Sequence, residues 1–325
     1  MIARTRLGRT GLDVSRLAFG TWQLGGDWGR FDEDQAIAAI RRARALGINF
    51  FDTAQGYGWG ASERMLGRAL EDELRRNRAD VVIASKGGLR MNDGELVRDS
   101  SREWLRRGVE ESLHALGTDY LDLYQVHWPD PGVPFAETAG ALQELVEAGK
   151  IRHIGVSNFG APQIAQFSSA RSVEAVQPPY SIMRREIEKD VLPYALEHDL
   201  GVLVYGPLAH GLLTGSITED TTFAPDDWRS TSSIFRGETL RRELAVVRDL
   251  ERLARERDQT VSQLAIAWVL AHPAVHVAIV GSRNPAHIEA SVAALDTALT
   301  KDDLARIDEI VAGAASIDGP SPETV

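Results

Sequence analysis

Apolar residues fall along this chain in short runs that alternate with longer stretches of helical spacing. β-rich runs recur at Leu17–Gly20, Phe50–Thr53, Val81–Lys86, Leu121–His127, Ile151–Asn158, Ala175–Tyr180, Gly201–Leu208 and Val275–Gly281. Between them, apolar positions return with helical period over Asp34–Leu46, Arg102–Leu116, Glu137–Ala148 and Glu238–Arg257, the signature of amphipathic helices. Runs such as Val81-Val82-Ile83-Ala84 are apolar almost without interruption, as expected for a sheet covered on both faces. Eight strands separated by helices predict an α/β fold with one parallel sheet, and that count favours a closed (β/α)8 TIM barrel over an open doubly wound sheet.

The punctuation agrees with this reading. Asp32 or Asp34 is placed to cap the first helix, Gly47 follows its end, and Gly149 closes the fourth in the same way. Ser62-Glu63 reads as a further helix cap. Thr5–Arg9 and Leu12–Arg16 flank Thr10-Gly11, which predicts an N-terminal β-hairpin plugging the N-terminal end of the barrel. No Pro/Gly/Ser-rich linker divides residues 1–325, so they are read as one barrel domain. The longest stretch without clear period is Ala209–Gly237, after the seventh strand, a length expected of a functional lid or a disordered loop. Arg98–Ser101 and Ser316–Val325 read as ordinary surface.

Composition narrows the classes. A formal net charge of −11 argues against a general nucleic-acid binder and against docking on an anionic membrane. Any anionic cofactor must then be held by a local site. With no cysteine in the chain, disulfides, thiolate nucleophiles and zinc–cysteine sites are excluded. His114, His153, His198, His210, His272 and His276 show no metal-ligand spacing, so no metal site is expected. The basic residues at the N-terminus precede no apolar stretch, and no run is long enough to span a membrane. A cytoplasmic enzyme is the expected setting.

In a TIM barrel, active sites form at the C-terminal ends of the strands. Asp52, Lys86 and His127 end the second, third and fourth runs, and Tyr57 lies in the loop after Asp52. Singly, each has a plainer reading: Asp52 as a turn residue, Lys86 on the surface, His127 as a structural histidine, Tyr57 as a loop aromatic. Gathered on one rim, they suit proton-coupled reduction of a carbonyl. A free tyrosine exchanges protons poorly near neutral pH, and a nearby ammonium favours its phenolate. Asp52 would keep Lys86 charged and in place, His127 would orient the carbonyl oxygen, and Tyr57 would donate the proton. Trp22, Trp59 and Trp128 flank this rim and read as walls of the substrate pocket. Trp228, in the loop after the seventh strand, reads as support for a lid.

The stretch Gly47–Gly58, with Ser62-Glu63 and Leu66-Gly67 after it, resembles the aldo-keto reductase superfamily. So do Leu121–Trp128, Gly155–Phe159, Gln177 with Tyr180, Tyr205–Leu208 with Gly211–Gly215, and Ile279–Pro285. The motifs occur in the family's order over nearly the whole chain. The resemblance implies a TIM barrel with C-terminal cofactor-binding loops, bound NADP(H), and reversible reduction of aldehydes or ketones. It implies that Ser157, Asn158 and Gln177 meet the nicotinamide carboxamide and that Tyr205 stacks on the nicotinamide face. Gly206, Leu208, Gly211 and Leu212 resemble the backbone cradle of the pyrophosphate. Gly281, Ser282 and Arg283 resemble the adenosine-phosphate site, where a helix N-terminus and an arginine favour a 2′-phosphate. Gly20, Thr21, Trp22 and Asp52 match the cofactor edge of the first two strands.

Three positions depart from the family's pattern. Gly206 stands where many relatives carry serine, Ala290-Ser291 where a Glu-Asn pair is usual, and His287 where glutamine or arginine is common. NAD(H) therefore stays open as the alternative to NADP(H). The partner expected is a small carbonyl or alcohol substrate. The alternative from another class is a redox-sensing or regulatory subunit that binds NADPH and turns over slowly, as the channel-associated members of the family suggest.

Overall fold

The strands of this computed structural model, which describes residues 2–312, close into a barrel of eight parallel strands. In chain order they are β1 (Leu17–Gly20), β2 (Phe50–Asp52), β3 (Val82–Gly87), β4 (Leu121–Val126), β5 (Ile151–Ser157), β6 (Ala175–Gln177), β7 (Gly201–Val204) and β8 (Val277–Gly281). Each pairs with the next along the chain, and β8 closes on β1 through Gly281 opposite Gly20. The reading of Ser316–Val325 as surface lies outside the described residues.

All of β2, β3 and β4 is buried, the outcome expected of strands with helices on one side and packed side chains on the other. The barrel interior is filled by Ala18, Phe50, Val82, Ala84, Leu123, Ala175, Leu203, Val277 and Ile279, and Leu7 and Val14 of the N-terminal hairpin join that cluster. Arg4–Arg6 pairs antiparallel with Asp13–Ser15, so the hairpin does plug the barrel bottom. The plug dictates a glycine opposite it. A Cβ on Gly201 would lie 2.6 Å from Leu7 Cγ, closer than packed carbons allow.

Most strands end earlier than their apolar runs. Beyond β6 come Pro178 and Pro179, which have no N–H for the ladder. Beyond β5 and β7, Asn158 (φ +63°) and Gly206 (φ +67°) turn the chain into left-handed backbone. Asp32 is the cap of the first helix, Glu33–Ala45, and accepts from the N–H groups of Asp34 and Gln35.

Two surface readings change. Arg98–Ser101 is not free surface: Leu89–Asn92 and Glu95–Arg98 form a hairpin about Asp93-Gly94, a dipeptide suited to that tight turn. Ser100 is buried with its N–H on Asp130 Oδ2, and Ser101 caps the helix Arg102–Leu116. Ser62 and Glu63 do not cap their helix, Ala61–Ala69, whose N-cap is Gly60. Both side chains turn inward instead. Ser62 Oγ lies 2.6 Å from Thr21 Oγ1 and 2.9 Å from Thr21 O, and Glu63 accepts from Ser85 Oγ at 2.6 Å. Burial pushes the Glu63 carboxyl above the usual carboxylate range.

Glu243, on the helix Gly237–Arg255, is fully buried, and neither carboxylate oxygen has a hydrogen-bond partner among the described residues. Burial pushes its pKa up from 4.5 to about 7. A raised folded-state value means that the contribution is fully present below the unfolded pKa and is lost as pH rises through about 7. Glu243→Leu is therefore expected to raise the melting temperature at pH 8, with a stability gain of up to about 3 kcal/mol, and to gain little at pH 4. Denaturation curves at the two pH values measure this; an equal effect at both would refute the buried ionisation.

No helix among the described residues is long and apolar enough to cross a membrane.

Candidate active site

The strand ladder brings the four rim residues within reach of one another. Asp52 ends β2 opposite Gly20 and Ala84, while Lys86 lies near the end of β3 opposite Gln125. Lys86 is 1% and Asp52 3% exposed, so water competes little for their charges. Lys86 Nζ donates to Asp52 Oδ1 at 2.6 Å, to Thr53 O at 3.0 Å and to Tyr57 Oη at 3.1 Å. These three contacts match the donor capacity of an ammonium. The His127 ring meets the Tyr57 ring edge to face, with centroids 5.7 Å apart.

A second set of contacts continues from Asp52 around the rim. Gln177 Nε2 donates to Asp52 Oδ2 at 2.8 Å. Ser157, opposite Gln177 in the ladder, donates through Oγ to Gln177 O at 2.9 Å. Asn158 donates to His127 O at 3.0 Å and accepts from Tyr205 Oη at 2.8 Å. The ends of β4, β5 and β7 are thus linked by one asparagine.

Beside this group lies a cleft of about 420 Å³. Gly20, Thr21, Trp22, Asp52 and Tyr57 line it, with Ser157 and Gln177. Tyr205, Gly206, Leu208 and Gly211 line it as well, as do Gly281, Ser282, Arg283 and His287. Other expected residues stand elsewhere. Leu212 is not among the residues lining the cleft; its side chain is buried in the outer core, which leaves the expectation for its backbone untested. Ser291 is not at the wall either; its Oγ donates to His287 O within its own helix. Trp59 is 41% exposed and Trp128 is buried beneath the Arg98 guanidinium, and neither lines the cleft. Loop geometry, rather than distance in sequence from the rim, separates them from Trp22.

The roof was only partly foreseen. Ala209–Gly237 contains short 3-10 turns, and Asp227 pairs antiparallel with Trp28, which lines the cleft. Trp228 stacks on Trp22 with centroids 6.0 Å apart. Arg229 forks onto Asp227 at 3.0 and 2.6 Å and lies over the Trp28 ring. Arg283 is tied to the same roof, donating to Gln23 O at 3.0 and 2.7 Å and to Trp28 O at 3.1 Å. Its guanidinium also covers the Phe31 ring. Sequence reading missed Gln23, Trp28 and Arg229, which no local pattern marks. It gave no role to Gln125, whose signal was a lone amide inside the apolar run Leu121–Val126.

Comparison with known proteins is decisive for the family. A model of the aldo/keto reductase family matches residues 16–312. The chain belongs to the aldo-keto reductase family. It is 41% identical over 98% of its length to the aldo-keto reductase YhdN of Bacillus subtilis (strain 168), covering 96% of that protein. It is 34% identical to the NADH-specific methylglyoxal reductase of Escherichia coli (strain K12), with 94% of this chain and 97% of the relative covered. Among solved structures, the glycerol dehydrogenase AKR11B4 from Gluconobacter oxydans superposes with a TM-score of 0.87 at 38% identity, covering 99% of this chain and 98% of that one. The family and its oxidoreductase class account for a barrel whose polar groups collect at one rim.

The residues at that rim fit a nicotinamide dinucleotide. A hydroxyl and a primary amide, Ser157 and Gln177, line the cleft, complementary to a carboxamide. On the cleft wall, a Cβ built on Gly206 would meet nothing nearer than His210 Cε1 at 3.8 Å, which leaves open backbone for a phosphate. Among the described residues, no group of three or more histidine, aspartate or glutamate side chains could hold a metal.

Proposed function

We propose that this chain reduces aldehydes or ketones to alcohols, and the reverse, using NADPH, with NADH as the alternative. The observation that carries the reading is Lys86 Nζ held between Asp52 Oδ1 at 2.6 Å and Tyr57 Oη at 3.1 Å beside the cleft. A reduced nicotinamide bound there supplies the hydride. Tyr57 Oη donates a proton to the carbonyl oxygen. The Lys86 ammonium stabilises the negative charge that the Tyr57 oxygen gains as its proton leaves. Asp52 fixes that ammonium in place, and His127 orients the carbonyl oxygen. Ser157, Asn158 and Gln177 would hold the carboxamide, Tyr205 would pack on the nicotinamide, and the backbone at Gly206, Leu208 and Gly211 would hold the pyrophosphate. Arg283 and His287, both lining the cleft, would favour the 2′-phosphate of NADPH, Arg283 through the N–H groups not given to Gln23 O and Trp28 O.

The relatives suggest where to look for substrate. Methylglyoxal with reduced cofactor, and glycerol with oxidised cofactor, head the panel. Purified protein is expected to oxidise NADPH with at least one aldehyde, with kcat/KM about tenfold above that with NADH. A tenfold preference corresponds to about 1.4 kcal/mol, within what one charged hydrogen bond supplies. A higher kcat/KM with NADH would overturn the cofactor assignment, and no turnover with either cofactor would overturn the activity.

A further inference from the structure

We propose that Gln125 is a positioning residue, joining the Asp52 carboxylate to the Gln177 amide so that the nicotinamide-holding and proton-delivering groups form one unit. The proposal rests on the function proposed above and assigns a role to a residue outside it. Gln125 is fully buried on β4, where the ladder sets it opposite Lys86 on one side and Gly155 on the other. Gln177 Nε2 reaches Gln125 Oε1 at 3.3 Å as well as Asp52 Oδ2 at 2.8 Å. Gln125 Nε2 in turn points to Asp52 Oδ2 at 3.5 Å. The three side chains form a closed triangle at 0–3% exposure.

Amide chemistry gives the triangle its direction. A primary amide offers hydrogens on one side and a carbonyl oxygen on the other. Both inward neighbours of the Gln177 amide, the Asp52 carboxylate and Gln125 Oε1, are acceptors. They hold the Gln177 NH2 group inward and leave its oxygen for the cleft that Gln177 lines. That oxygen is what a carboxamide NH2 needs. The carboxylate of Asp52 fixes Gln125 the same way round, since a flipped amide would set oxygen against oxygen. A buried polar network of this kind is rigid when every member is satisfied.

The neighbouring strand makes room for this residue. A Cβ on Gly155 would lie 2.9 Å from Gln125 Cγ and 3.1 Å from Ala175 O. A glycine at that point of β5 lets the glutamine side chain pass along the barrel interior.

The test uses the full chain and the variants Gln125→Met, Gln177→Met and the double variant. Dissociation constants are read by quenching of protein fluorescence, first with NADPH and then with 2′-phosphorylated ADP-ribose, which differs from NADPH only in lacking the nicotinamide. Gln125→Met is expected to weaken NADPH binding about fivefold, as for one lost buried hydrogen bond, and to lower kcat. Binding of the phosphorylated ADP-ribose should not change, whereas a merely structural defect would weaken both ligands. The double variant should bind NADPH no more weakly than Gln177→Met alone, because both changes break the same unit. Gln125→Asn, which retains the amide but withdraws it by one methylene, should repeat the Gln125→Met result and serves if that variant does not fold. Wild-type NADPH affinity in the Gln125 variants, equal losses with the phosphorylated ADP-ribose, or multiplied effects in the double variant would each overturn the proposal. A wild-type protein that neither binds nor oxidises NADPH would instead overturn the function on which it rests.

Discussion

Tyr57→Phe is expected to lower kcat by about a hundred- to ten-thousandfold, the range typical of removing a positioned general acid, while the NADPH dissociation constant changes by less than about twofold. The substitution deletes one oxygen and keeps the ring. That ring packs edge to face with His127 and lies 6.5 Å from Trp22, so the wall of the cleft survives. What is lost is the hydroxyl to which Lys86 donates at 3.1 Å. Lys86 and His127 stay, but the hydroxyl that passes the proton to the carbonyl oxygen is gone, so hydride transfer proceeds toward an alkoxide without its positioned acid. Steady-state kinetics together with fluorescence titration separate the two quantities. A variant weak in both would point to a damaged cleft rather than to a missing proton donor.

Lys86→Met is expected to be the more destructive change, removing activity by more than about a thousandfold and stability by about 3–5 kcal/mol. The stability loss has a specific cause. Asp52 is buried, and its Oδ1 accepts from Lys86 at 2.6 Å. Without the ammonium, the carboxylate stays in the barrel with amide partners only, and an uncompensated buried charge is costly. Lys86→Met combined with Asp52→Asn should therefore recover much of the stability and none of the turnover. Chemical denaturation of the three variants measures the first point, and NADPH oxidation the second. If the double variant were less stable than Lys86→Met alone, buried charge would not be the cause.

The parts of the fold legible in the sequence were those fixed by burial and period. Leu17–Gly20 and Arg102–Leu116 carry the same limits in the strand β1 and in its helix as in the apolar pattern. Asp52 and Lys86 could be placed because a charged residue closing an apolar run marks a strand exit. Contacts made by side chains across long stretches of chain left no such mark. The Arg283 guanidinium reaches back to Gln23 and Trp28, and nothing near Arg283 in sequence announces those carbonyls. Trp59 and Trp128 sit close to the rim in sequence, but one is exposed and the other lies under Arg98. Ser62 and Glu63 carry a capping pattern, yet Thr21 and Ser85 offer them buried partners instead. A local motif names the groups available; the strands packed beside it decide which of them meet.

The most direct measurement is a single-turnover experiment. Enzyme preloaded with NADPH is mixed with a reactive aldehyde, and loss of reduced nicotinamide absorbance is followed for the wild type and for Tyr57→Phe. With Lys86, Asp52 and His127 left in place, the account predicts rapid loss in the wild type and a rate at least about a hundredfold lower in the variant, with equal cofactor loading in both. Equal rates in the two proteins would contradict it.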